Sequence, residues 1–119
     1  MKDKLQELEM FAMLILPEFC QTLDEMLLKN PKWSKKRVFE TLFELGEKKH
    51  SHDNSIRDSQ FGKSFTSLLT KTNMEYSCFL AYAAGCVRGE YWTDPSGGNF
   101  LELIQPIAKI GKQKFLHRI

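Results

Sequence analysis

At 119 residues, with 42% hydrophobic and 27% charged residues, the chain is long enough for one self-supporting core and too apolar for a disordered tail. Its formal net charge of +2 is too small to create a whole-molecule field for nucleic acid or an anionic membrane. Three cysteines without C-x-x-C spacing, Cys20, Cys78 and Cys86, argue against a secreted disulfide framework and against a zinc knuckle.

If Cys78 and Cys86 share a helix they stand about 12 Å apart, beyond the reach of a disulfide. The expectation is buried free thiols in a reducing compartment. The N-terminal apolar run Met10 to Leu16 is too short to span a bilayer, is interrupted upstream by Glu7 and Glu9, and ends at Pro17-Glu18 without a small-residue cleavage site. A cytoplasmic location is expected.

Six segments carry helical periodicity. The first runs from about Lys2 to Leu16, with Leu5, Leu8, Ala12 and Ile15 on one stripe. Pro17 cannot continue that hydrogen-bond ladder but suits the first turn of a second helix carrying Phe19, Leu23, Met26 and Leu27, which Asn30-Pro31 stops. Ser34 is an N-cap for a third, whose apolar face is Val38, Phe39, Leu42, Phe43 and Leu45. Lys48 to Ser55 is polar throughout and predicts a loop.

A fourth helix is predicted from near Asn54 or Ser55, with Phe61, Phe65, Leu68 and Leu69 inward. Thr72-Asn73-Met74-Glu75 has the form of a capping box and opens a fifth, carrying Cys78, Phe79, Tyr82, Ala83, Cys86 and Val87, with Gly89 as its stop. Glu90 to Gly98 reads as a loop. Asn99 would cap a last helix that Pro106 kinks or divides, and Lys109 to Ile119 is basic and amphipathic. Strand patterning is thin. The expected fold is all-α: a compact irregular bundle of five or six helices in a single domain over residues 1–119.

Local chemistry is sparse. Phe61-Gly62-Lys63-Ser64 imitates the end of a P-loop, but Arg57 stands where its first glycine belongs and no strand precedes it. His50, His52 and Asp53, with Glu47 upstream, are ligand types, yet a spacing of two in a polar stretch does not bring two imidazoles to one helical face. No nucleophile elbow occurs. The expectation is therefore no enzyme, no cofactor and no metal, although His50 or His52 in a pocket with a carboxylate would favour an enzyme.

Charge is distributed unevenly. Between Lys4 and Lys29 there is no basic residue, but there are Glu7, Glu9, Glu18, Asp24 and Glu25, a surface that would steer a basic partner. Positive charge gathers in Lys109, Lys112, Lys114 and Arg118, with no acid after Glu102; such a tail can contact phosphates or complement a helix dipole. Trp33, Tyr91 and Trp92 lie outside the periodic core, where aromatics serve either as interface anchors or as seals for the bundle ends. Glu18, Asp24, Glu25, Tyr91, Trp92 and Asp94 are the candidate partner-binding residues.

In size, in its motif-free helical sequence, in the acid-only stretch Glu7 to Glu25 and in the loop aromatics Tyr91 and Trp92, the chain resembles the small cytoplasmic immunity proteins of bacterial contact-dependent growth-inhibition systems. Its near-neutral charge departs from the strongly acidic members. The resemblance implies neutralisation of a cognate toxin, commonly a nuclease acting on tRNA, by covering its active site. The alternative expectation is a small nucleic-acid-associated regulatory or phage adapter protein working through the basic C-terminal segment.

Overall fold

The computed structural model describes residues 2–51, 73–93 and 98–116. Within them the protein is all-helical: α1 (Lys2–Lys29), α2 (Lys35–His50), α3 (Met74–Tyr91) and α4 (Gly98–Leu116). The predicted helix over Asn54 to Leu69, the P-loop imitation, His52 and Asp53 lie outside the described residues.

The two helices expected on either side of Pro17 are one. Leu8, Phe11, Ala12, Ile15, Leu16, Phe19, Leu23 and Met26 form an unbroken buried stripe along α1, at the three- and four-residue steps of a single helix. The bond forfeited at Pro17 would have gone to the Met13 carbonyl. Both residues are exposed, so water can satisfy that oxygen, while packing on the opposite face holds the helix together. Pro106 likewise sits inside α4 without ending it.

The helix ends follow local chemistry with small shifts of register. Ser34 caps α2 as expected, its side chain accepting a hydrogen bond from the Arg37 N–H at 3.2 Å. For α3 the cap is Asn73, which accepts from the Tyr76 N–H at 3.1 Å, one residue beyond the expected Thr72. Gly89 does not stop α3. The helix continues to Tyr91, and Trp92 closes it in the left-handed conformation, at φ 55° and ψ 40°. The predicted loop from Lys48 begins late, because α2 extends through His50.

Gly89 has a different task, shared with Gly46 and Gly85. A Cβ on Gly46 would stand 2.5 Å from the Tyr82 carbonyl oxygen, and one on Gly85 would overlap the Phe43 carbonyl. Only glycine lets α2 and α3 approach backbone to backbone. The partners rise together in number, Phe43 with Gly85 and Glu47 with Gly89, so these two helices run parallel.

Against this pair pack α1 and α4. Phe19 of α1 meets Phe79 of α3 and Phe115 of α4 edge to face, with ring centroids 5.4 and 5.7 Å apart. Phe100, Ile107, Phe39, Leu42 and Phe43 complete a core of fully buried side chains. No helix among the described residues is long and apolar enough to cross a membrane.

Candidate functional site

A seam of polar groups runs between α1 and the α2–α3 pair. At its centre Glu18 Oε1 pairs with His50 Nε2 at 2.9 Å and accepts the Tyr82 hydroxyl proton at 3.1 Å. The His50 ring packs edge-on against Phe11 at 5.1 Å, and Phe11 in turn meets Tyr91 at 5.9 Å. Tyr91 donates its hydroxyl proton to Glu7 at 2.8 Å and carries the Lys4 ammonium 4.6 Å over its ring. Deeper between α2 and α3, Arg88 Nε bonds Glu47 at 2.5 Å, and its Nη1 donates to the Thr93 carbonyl at 3.3 Å.

The electrostatics of this seam keep its weak acids protonated. Burial, then the neighbouring Cys86 and Glu18, push the Tyr82 phenol upward, and burial followed by the Glu18 charge pushes the Cys86 thiol well above its ordinary range. Tyr91 is raised by burial and by its bond to Glu7. Cys78 is pushed up to about 12, by burial first and then by Glu75. Thiols held in this form are poor nucleophiles. A carboxylate receiving bonds from His50 and a protonated phenol can tie α1 to α2 and α3.

The candidate binding residues separate. Glu18 is not on the open acidic stripe that its sequence position suggested: it faces the seam together with Thr22, half-buried and engaged internally. Asp24 and Glu25 are exposed, Glu25 accepting a long 3.4 Å bond from Gln21. Tyr91 is half-buried against Phe11 and Glu7, whereas Trp92 is 49% exposed. Asp94 lies outside the described residues. Glu7, which holds Tyr91, precedes Asp24 by seventeen residues of one helix, about 25 Å along its axis. The aromatic and acidic candidates therefore occupy different ends of α1. Trp33, for its part, folds back on the core with the Arg37 guanidinium 4.4 Å over its ring.

A different kind of surface lies between α1 and α4. Two adjoining clefts of about 390 and 500 Å³ share Ile110 and Gln113; Glu9 and Lys109 face the first, Met13, Cys20 and Lys114 the second. Beside them Met10, Met13 and Leu14 are 67%, 63% and 54% exposed. Lys109, Lys112 and Lys114 are exposed along α4, and Arg118 lies outside the described residues.

Sequence reading missed three parts of this picture. His50 reads as a loop residue in the sequence because the polar run from Lys48 masks the last turn of α2. The Glu47–Arg88 pair spans 41 positions and no local pattern announces it. The exposed ridge of α1, Met10, Met13 and Leu14, falls off the stripe of Leu8, Ala12 and Ile15, and that offset was the signal for it. Among the described residues no group of three or more histidine, cysteine or acidic side chains is placed to hold a metal ion. No known protein family, curated protein or solved structure matches the chain.

Proposed function

We propose that the chain acts as a binding protein whose partner is another protein. Following its resemblance to immunity proteins, that partner is a cognate bacterial toxin domain, a nuclease such as one that cuts tRNA, whose active site it covers in the cytoplasm. The observation that carries the reading is Trp92. Its ring is half exposed, and its backbone occupies the left-handed region, where a bulky side chain costs about 1–2 kcal/mol relative to glycine. An exposed ring on a strained backbone contributes little to folding, but in an interface it supplies a large apolar area with few rotamers to freeze.

Tyr91, fixed by Phe11, Glu7 and Lys4, gives that anchor a rigid neighbour. Asp24 and Glu25, in the stretch without lysine or arginine, would steer a basic partner and govern its rate of association. Of the six candidate residues, Glu18 serves this role only indirectly, by holding α1 in place.

The test begins with the neighbouring gene: a large secreted protein with a variable C-terminal toxin region directly upstream is the expected finding, and that region is then titrated calorimetrically and assayed for tRNA cleavage. Alanine at Tyr91 and Trp92 should weaken the complex about tenfold or more, and charge reversal at Asp24 and Glu25 should slow association in low salt. Unchanged affinity and unchanged neutralisation in all of these variants would reject the surfaces.

A further inference from the structure

On α1, the positions of Met10, Met13, Leu14 and Pro17 fall on one side of the helix, opposite the buried stripe of Leu8, Phe11, Ile15 and Phe19. They form a ridge. The cleft between α1 and α4 runs alongside it, with Met13 and Pro17 at its rim, and the cleft's two halves rise together in number: Leu5 and Glu9 with Gln105 and Lys109, then Pro17 and Cys20 with Lys114. The two helices are thus parallel, and ridge and cleft share one face of the protein.

The charges on this face fit one another. From Leu5 to Leu28, α1 contains no lysine, arginine or histidine; of its carboxylates Glu7 and Glu18 bond within the seam, and Glu9 lines the cleft. The only charged residues that the α4 wall contributes to the cleft are lysines, Lys109 and Lys114, and no acid follows Glu102. What the cleft would take is an apolar helix with acidic flanks and no base, and α1 itself meets that description. A ridge beside its complementary cleft is the geometry of an isologous contact, in which a two-fold axis satisfies both at once.

We propose that two copies of this chain associate through the α1–α4 face, each inserting its Met10, Met13 and Leu14 ridge into the cleft of the other. The axis passes near Met13, so the two α1 helices run antiparallel. Lys114, at the level of Pro17 and Cys20, then meets Glu9 of the second copy, and the pair is made twice. Methionine suits such a seam, since its flexible thioether adapts to an irregular cleft. This association stands apart from the toxin-binding reading and needs no other protein.

Sedimentation velocity of the full chain over a concentration series tests it. The expected result is a monomer–dimer equilibrium, with Met13→Glu and Leu14→Glu each raising the dissociation constant about tenfold or more. Both residues are exposed, so unchanged circular-dichroism melting should show that the fold survives. Lys114→Glu should weaken the dimer, and adding Glu9→Lys should restore it. A monomer throughout the series, a dimer indifferent to the ridge variants, or a failure of the charge swap to restore association would each overturn the proposal.

Discussion

Where α2 meets α3, glycines bring two backbones together and the polar groups between the helices are bonded to one another. Where α1 meets α4, methionine, leucine and proline stand beside an open cleft, with lysines on one wall and Glu9 on the other. The first junction leaves little that a partner could improve. The second leaves apolar area in water, and area that folding does not cover is available to association. Tight packing is thereby concentrated at one junction and open apolar surface at the other.

Substitutions should separate the two sides. The largest loss is expected for Arg88→Leu, which leaves Glu47, 4% exposed, without its guanidinium; about 3–5 kcal/mol should disappear from urea denaturation. Gly85→Ala forces a methyl group against the Phe43 carbonyl and should cost about 1–3 kcal/mol in the same measurement.

Alkaline pH should act on the inner side as well. Tyr82, Tyr91, Cys78 and Cys86 all have raised values in the folded state, so the folded chain holds these protons more tightly than the unfolded chain does. Their contribution is complete below the ordinary thiol value of 9.0 and is lost as pH rises above it, through about 12 for Cys78. Denaturation midpoints should therefore be insensitive to these groups up to about pH 9 and fall beyond it. In native protein, a thiol reagent should modify half-buried Cys20 first and reach Cys78 and Cys86 only on unfolding.

The smallest effect belongs to the outer side. Met10→Glu or Met13→Glu should leave the unfolding free energy of the monomer within about 0.5 kcal/mol, read at a concentration too low for association. A large loss there would mean that the ridge supports the fold and would erase the contrast between the two junctions.

The helical class was legible because apolar residues recur at three- and four-residue steps in every described segment. Boundaries were less so: Pro17 reads as a break until the buried stripe on both sides of it is counted, and Gly89 reads as a stop until α2 is found lying against it. The candidate site was legible only in part. Asp24, Glu25 and Trp92 are where a surface reading puts them. Glu18 is not, since its partners His50 and Tyr82 are 32 and 64 positions away and meet it only through packing.

The proposed protein-binding role rests most directly on Trp92, the exposed ring on a strained backbone. Trp92→Gly relieves the left-handed strain while giving up the half of the ring that is covered, so the two effects should nearly cancel. Stability by urea denaturation and affinity for the proposed toxin partner, measured on that one variant, give the decisive comparison. The expected result is an unfolding free energy within about 1 kcal/mol of the parent and binding weakened about tenfold or more. A collapse of stability with binding intact would contradict the account.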